Sequence, residues 1–236
     1  MMEKIRNILA VDTSSRVLSV GISQNGESVF ETNLEGTPRH SEQLIDLIQH
    51  GLETVHLKKN DLTHFVWGLG PGSFTGLRIG CAFLKGFSLG CQKPVFGVSS
   101  LDAIALGSGI ISGELAVCVD ARREKIYTAI YKFQNGSPEK ILPESVLSFE
   151  ELSKEIRPGM IVTGDSILNY HIRFRNAFAD QVELMQPMFW YPKASLMIRL
   201  FETWPERTKK LTLRMMVPMY LRRSEAEEKL SEKQKR

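Results

Sequence analysis

The sequence predicts an α/β fold of two related halves that face each other across a cleft. Short apolar runs that end in an acidic residue occur at residues 8–11 before Asp12 and at residues 115–119 before Asp120. Alternating strand patterns, Asn-Gly turns and further strand and helix patterns follow each run. This repetition, at a spacing of about one hundred residues, indicates a duplicated supersecondary unit.

The first half opens with three predicted antiparallel strands. After the run at residues 8–11, Leu18, Val20 and Ile22 alternate with small polar residues or glycine, and Asn25-Gly26 is a strong hairpin signal before residues 28–34. Thr37-Pro38 is typical of a helix start. The helix that follows to about residue 55 is predicted from apolar residues at helical spacing, namely Leu44, Ile45, Leu47, Ile48, Leu52 and Val55.

The rest of the first half completes a β-β-β-α-β-α-β-α order. The predicted elements are a strand at 65–69, a glycine-rich loop at 70–73, a helix to about 89, a strand at 95–98 and a helix from near 100.

The second half partly repeats this order. Predicted strands lie at 115–119, 126–133 and 160–163, and predicted helices lie at 149–156 and 193–204, the last able to pack on either half. We therefore expect a first lobe at 1–100 with partner-binding helices, a second, smaller lobe at 101–206, and a basic, partly disordered segment at 207–236.

Composition excludes several classes of protein. Apolar residues make up 42% and charged residues 24% of the 236 residues, which is typical of a globular fold. Three cysteines without a CxxC spacing favour reduced thiols in the cytoplasm over disulfides or a zinc site. No apolar run suits a signal peptide or a membrane span, so we expect a cytoplasmic protein without membrane contact.

The small net charge of +3 is unevenly distributed. Residues 207–236 hold ten basic and four acidic residues, whereas residues 1–206 carry a net charge of −3. A basic end of this kind is most often a solvated segment, and it can also attract RNA without regard to sequence.

The glycine-rich segment at 68–80 matches neither common phosphate-binding motif. Leu77-Arg78 follows Gly76 where a P-loop has Lys and then Ser or Thr, and a dinucleotide fingerprint fails at Ser73 or Thr75. Gly72, Gly76 and Gly80 recur every four residues, so close packing or partner docking is favoured, with phosphate contact as the alternative.

Asp12 and Asp120 are the candidate cofactor-binding positions. With Thr13 and Ser14 they could form the loops of a two-lobed, kinase-like nucleotide site that uses magnesium. Capping of turns by the aspartates is the favoured alternative, because no glycine beside Asp12 lets a phosphate approach the backbone. We therefore expect these loops to be vestigial, with no cofactor on this chain.

No catalytic or metal-binding residue is predicted. The five histidines, at positions 40, 50, 56, 64 and 171, never stand three or four apart, and no GxSxG nucleophile motif is present. His40 is more typical of a helix start than of an acid or base.

Several segments together resemble the bacterial TsaB family, also called YeaZ. They are residues 8–15, 39–44, 70–80 (GPGSFTGLRIG), 98–101, 119–122 and 220–222 (Tyr-Leu-Arg). The resemblance implies the actin-like, Hsp70-like, sugar-kinase (ASKHA, RNase H-like) fold. It also implies a role in making N6-threonylcarbamoyladenosine at position 37 of tRNA, as a non-catalytic partner of the catalytic subunit TsaD.

The resemblance further implies that the chain forms a heterodimer with TsaD, a ternary complex with TsaE, and a homodimer when it is alone. It also implies that tRNA is contacted only through these partners, and that the partner subunits hold the ATP and the metal. We expect the TsaD interface on the first two long helices, at Leu44, Leu47, Ile48, Gly76, Gly80, Phe83, Leu84 and Phe87. Gly80→Leu is then expected to block the complex and spare the fold. The alternatives are an independent ATPase or kinase of this fold, or a protease.

Overall fold

The computed structural model describes residues 6–36 and 40–222. The first half contains β1 (Asn7–Asp12), β2 (Val17–Gln24), β3 (Glu27–Glu35), α1 (His40–Thr54), β4 (His64–Gly68), α2 (Phe74–Cys91), β5 (Val95–Val98) and α3 (Ser100–Gly107). The second half contains β6 (Gly113–Asp120), β7 (Lys125–Gln134), β8 (Ser137–Ser148), α4 (Phe149–Glu155), β9 (Ile161–Thr163), α5 (Ser166–Phe178), β10 (Glu183–Leu184), α6 (Ala194–Thr203) and β11 (Lys209–Leu211).

The strands form two sheets with matching topology. The first sheet has the order β11-β5-β4-β1-β2-β3, and the second has the order β10-β9-β6-β7-β8. Each contains an antiparallel trio, β1 to β3 or β6 to β8, and two parallel strands on the other side of its first member, β4 and β5 or β9 and β10. The first sheet also has β11 at its edge, antiparallel to β5. The predicted duplicated α/β unit is confirmed. We call the two sheets with their packed helices the first and second lobes.

The apolar run at the start of β1 is explained by helices on both faces of the first sheet. Leu9 and Val11 pack under α1 and α2, whereas Ile8 and Ala10 point to the opposite face, where α3 and α6 pack. All four side chains are fully buried. A central strand covered on both faces needs a continuous apolar run instead of an alternating one.

Helix α3 lies between the two lobes. Leu101, Ile104 and Ala105 belong to the core formed with β6 and β7, whereas Ala103 and Leu106 belong to the core formed with β1 and α6. Every residue from Ser100 to Leu106 is buried. The helix therefore joins the lobes by packing as well as by chain connection.

The late part of the chain returns to the first lobe. Helix α6 packs against β1, β2 and α3, and β11 pairs antiparallel with β5 at the edge of the first sheet. The sequence left the position of α6 open and did not predict β11. Residues 223–236, which include much of the basic segment, and the Thr37-Pro38 helix start lie outside the described residues.

Helix α5 was not predicted from the sequence. Its buried side chains, Ile167, Tyr170 and Phe174, have helical spacing, but Leu168 and Ile172 are apolar and exposed on the other side. Apolar residues on both sides weaken the periodicity that marks an amphipathic helix.

Among the described residues, no helix is both long and apolar enough to cross a bilayer.

Candidate functional site

The loop after β1 packs directly on the start of α2. The amide of Ser73 donates to the carbonyl of Ser14 at 2.6 Å. A Cβ on Gly72 would lie 2.1 Å from that carbonyl oxygen, and a Cβ on Gly76 would lie 2.0 Å from the carbonyl oxygen of Thr13. Only glycine allows this approach, so these glycines serve close packing within the chain.

The buried Asp12 stabilises the same loop. Its Oδ1 accepts hydrogen bonds from the amide of Ser14 at 2.8 Å and from the hydroxyl of Ser14 at 2.7 Å. Its Oδ2 accepts from the hydroxyl of Ser100 at 2.6 Å, which ties the loop to the start of α3. This arrangement matches the capping role that the sequence favoured for Asp12.

Asp120 and Asp165 occupy the equivalent edge of the second lobe. Oδ1 of Asp165 accepts from the amide of Asp120 at 2.9 Å, and Asn169 donates to Oδ2 of Asp120 at 3.0 Å. Burial is the main cause that raises the pKa of Asp165 from 3.8 to about 6; the charge of Asp120 raises it further, whereas the Asp120 amide and Arg122 lower it. Asp120 therefore belongs to a linked pair of carboxylates.

Sequence reasoning did not identify Asp165 as a site residue. Asp165 follows β9, just as the glycine-rich loop follows β4 in the first lobe. Because the two halves repeat one topology, this correspondence was the signal that could have identified it.

A cleft of about 600 Å³ separates these loops of the two lobes. Arg16, Arg122, Arg123 and Arg222 line it, together with hydroxyl groups of the first lobe. Arg16 is paired with Glu35, and Arg122 lies 3.6 Å from Asp120. The cleft thus combines arginines that are partly neutralised by carboxylates with a pair of aspartates.

Two backbone amides at the start of α2 are already hydrogen-bonded within the chain. The amide of Ser73 is bonded to Ser14, and the hydroxyl of Ser73 accepts from the amide of Gly76 at 3.2 Å. A phosphate at a helix start needs such amides to be open.

Among the described residues, no group of three or more His, Cys, Asp or Glu side chains is arranged to hold a metal ion.

The candidate interface residues on α1 and α2 divide into two sets. Leu44, Ile48, Gly76, Gly80 and Leu84 are buried on the inner side of the helices. This placement corrects the expectation that they face a partner, because the chain's own core and first loop cover them.

The remaining candidates, Leu47, Phe83 and Phe87, are half-buried at the rim of the same core. Phe83 and Phe87 stack with their ring centroids 5.1 Å apart. On the outer side, Ile45 is 56% and Leu89 is 63% exposed. Both lie on the two helices predicted to meet the partner, but neither is among the individual residues predicted for the interface. The spacing of apolar residues in the sequence does not specify which side of each helix packs on the sheet.

Gly80 also has a different role from the expected one. A Cβ at this position would lie 2.4 Å from the hydroxyl of Thr13 and 3.2 Å from the indole nitrogen of Trp67. Gly80→Leu would therefore disturb the fold itself, and it cannot serve as a clean test of partner binding.

Comparisons with known proteins agree with this architecture. The family model described as "TsaD: tRNA N6-adenosine threonylcarbamoyltransferase" matches residues 35–230. The tRNA threonylcarbamoyladenosine biosynthesis protein TsaB of Bacillus subtilis is 27% identical over 232 residues, covering 97% of this chain and 99% of that protein. The protein of the same name from Escherichia coli is 35% identical over 133 residues, covering 55% of this chain and 57% of that protein.

A solved structure supports the fold. YeaZ from Pseudomonas aeruginosa superposes with a TM-score of 0.78 at 24% identity, covering 92% of this chain and all of that chain. The predicted actin-like, Hsp70-like, sugar-kinase fold is confirmed. With a family match across most of its length and relatives bearing the name in several bacteria, the chain belongs to the TsaB (YeaZ) family, whose fold is of the TsaD type.

Proposed function

We propose that this protein is a non-catalytic subunit of the machinery that forms N6-threonylcarbamoyladenosine at position 37 of tRNA. The observation that carries the proposal is the outer side of α2, where small and apolar residues are exposed, together with the exposed Ile45 of α1. Both helices lie on a lobe whose loops at the cleft are hydrogen-bonded to each other. In this proposal the chain binds the catalytic subunit TsaD, and tRNA is contacted only through partners.

Relatives support the pathway. The proteins from B. subtilis and E. coli carry threonylcarbamoyladenosine biosynthesis in their names, and the B. subtilis match spans nearly the whole of both chains. The loops at Asp12 and Gly72 pack closely on each other, which favours a non-catalytic role for this chain over nucleotide turnover. We therefore assign ATP and metal to the partner subunits and no cofactor to this chain.

The outer side of α2 suits a helix-to-helix contact. Ala82, Gly86 and Gly90 are exposed at successive four-residue steps, and the space above Gly86 and Gly90 is open. Small residues in this arrangement let the axes of two packed helices approach closely. The half-buried rings of Phe83 and Phe87 lie on one flank of this stripe.

Helix α1 extends the same surface. It packs beside α2 on one face of the first sheet and exposes Ile45, with Leu47 half-buried next to the core. Two neighbouring helices with exposed apolar side chains form a surface that gains free energy when a partner covers it. In the absence of TsaD a second copy of this chain would cover it as a homodimer, and TsaE would join the heterodimer as a third subunit.

Ala82→Arg tests the docking surface. We expect this variant to bind TsaD about 100-fold more weakly, because an unpaired charge buried in an interface costs about 3 kcal/mol. The affinity is measured by isothermal titration of TsaD with each variant. Ala177→Arg, which changes an exposed alanine on α5 in the second lobe, is the matched control and should bind like the unchanged protein.

The thermal unfolding midpoint of both variants should stay within a few degrees of the original, since both positions are exposed. If Ala82→Arg binds TsaD with undiminished affinity, the docking surface lies elsewhere.

Reconstitution tests the function itself. With TsaD, TsaE and threonylcarbamoyl adenylate present, formation of the modified nucleoside on tRNA should require this chain and should fall with Ala82→Arg. Calorimetry of the isolated protein with ATP and Mg²⁺ separates the alternative of an independent ATPase or kinase. Micromolar binding with turnover by this chain alone would contradict a non-catalytic role.

A further inference from the structure

The segment that ends the described chain bridges the two lobes. After β11, the chain runs along α2 and then reaches the loop between β6 and β7 of the second lobe. We call residues 216–222 the C-terminal clasp; it includes the Tyr220-Leu221-Arg222 motif, to which the proposed docking function gives no role.

The first part of the clasp is anchored on the first lobe. The side chain of Met216 is 1% exposed in the core beneath α2, and the thiol of Cys81 donates to its carbonyl at 3.1 Å. The amide of Met219 donates to the carbonyl of Leu69 at 2.8 Å, just before the glycine-rich loop. These contacts hold the backbone of the clasp at the edge of the cleft.

The ring of Tyr220 extends this anchor over the start of α2. It packs against Phe74 with the ring centroids 4.8 Å apart, and Arg78 donates to its hydroxyl at 3.4 Å. Arg78 also lies 4.0 Å above the ring of Phe74. The three side chains form one stack at the mouth of the cleft, so the clasp approaches the second lobe from a fixed position.

The end of the clasp is anchored on the second lobe. The guanidinium of Arg222 donates to the carbonyl of Ala121 at 2.7 Å and to the carbonyl of Arg122 at 3.1 Å. Leu221 packs against the core that includes Val119 and Tyr127. One charged side chain thus holds two carbonyls of the opposite lobe, and hydrogen bonds to a charged group are stronger than neutral ones.

The loop that receives Arg222 has an unusual backbone. Arg122, Arg123 and Glu124 have φ angles of 62°, 49° and 57°, so three successive residues other than glycine adopt the left-handed region. Such conformations persist when surrounding contacts hold them. The two hydrogen bonds from Arg222 are contacts of this kind, and they come from the other lobe.

The clasp is one of several connections between the two lobes. The described chain itself crosses between the lobes after α3 and before α6, and α3 also packs on both sheets. The clasp adds a link through side-chain and backbone hydrogen bonds on the rim of the cleft, which Met219, Tyr220 and Arg222 line. We propose that this clasp holds the two lobes at a fixed separation and keeps the cleft closed, so that its release lets the lobes move apart while both sheets stay folded.

Hydrogen exchange of the full chain tests the proposal. In Arg222→Ala, amides of the cleft loops at residues 13–16, 70–76 and 121–124 should exchange about tenfold faster, because two charge-assisted hydrogen bonds are lost. Amides inside β1 and β6 should keep their rates. Arg214→Ala, which removes an exposed arginine of the preceding segment, is the matched control and should leave all rates unchanged.

Truncation gives a second, independent comparison. A chain ending at Tyr220 lacks the second-lobe anchor and should show the same faster exchange, whereas a chain ending at Arg222 keeps the clasp and should match the full chain. Arg222→Lys keeps the charge and should recover part of the protection. Unchanged cleft loops in Arg222→Ala would overturn the proposal, and so would equal acceleration throughout both sheets, since that result indicates lost global stability.

Discussion

At the residue scale, the glycines of α2 divide according to what lies opposite them. Gly76 and Gly80 face the loop after β1, where a Cβ would meet Thr13, whereas Gly86 and Gly90 face open space. The sequence shows a regular glycine pattern but not which members are covered. Only the position of α2 on its sheet shows which glycines are required for close packing and which lie on an open surface.

Gly76→Ala and Gly86→Ala should therefore have opposite effects. We expect Gly76→Ala to lower the free energy of unfolding by about 1 to 3 kcal/mol, because the new methyl group forces the helix and the Thr13 carbonyl apart. Gly86→Ala should raise it by about 0.5 to 1 kcal/mol through helix propensity. Urea unfolding of both variants checks this, and equal effects would show that the close approach of the loop does not matter.

Asp165 gives a pH-dependent contribution to stability. Because folding raises its pKa from 3.8 to about 6, the folded state holds this proton more tightly than the unfolded state. The free energy of unfolding therefore loses a contribution as the pH rises from about 4 to about 6, and the loss persists above that range.

Asp165→Asn should remove this loss. Asparagine keeps an oxygen that accepts from the amide of Asp120 but carries no charge. We expect the variant to be more stable by about 1 to 2 kcal/mol above pH 7 and nearly unchanged below pH 4. Urea titrations at several pH values measure the difference, with the exposed Asp46→Asn as control. A gain that does not vary with pH would refute the assignment to Asp165.

At the element scale, α3 determines how the lobes meet. The helix is buried on all sides, and its Asp102 accepts from the hydroxyl of Tyr131 at 2.7 Å and pairs with Lys140 at 2.8 Å. Lys140 also pairs with Glu144 at 2.5 Å. This network joins α3 to β7 and β8, so a charged group holds the helix at one position against the second sheet.

Lys140→Ala should lower the free energy of unfolding by about 3 kcal/mol, because it leaves the buried carboxylate of Asp102 without its ammonium partner. Lys125→Ala is the control, since Lys125 and Glu151 form an exposed pair whose loss should change stability by less than about 1 kcal/mol. Chemical denaturation of the two variants makes the comparison. Similar losses would mean that the Asp102 pair contributes no more than a surface pair.

At the scale of the whole molecule, α2 serves two surfaces. Its outer side carries the proposed docking surface, and its first two turns carry Phe74 and Arg78, which contact Tyr220 of the clasp. Different variants therefore test the docking surface and the clasp. Ala82→Arg should weaken TsaD binding without altering exchange in the cleft loops, whereas Arg222→Ala should alter that exchange.

The sequence by itself determined the secondary-structure order of the first half, the duplication and the family. Local apolar periodicity and turn residues specify strands and helices, and they repeat because the lobes share one topology. The tertiary structure alone decided which helix sides are covered, placed α6 and β11 on the first sheet, paired Asp165 with Asp120, and brought Arg222 to the second lobe. These features depend on contacts between residues far apart in the chain, and the packing of whole elements sets those contacts.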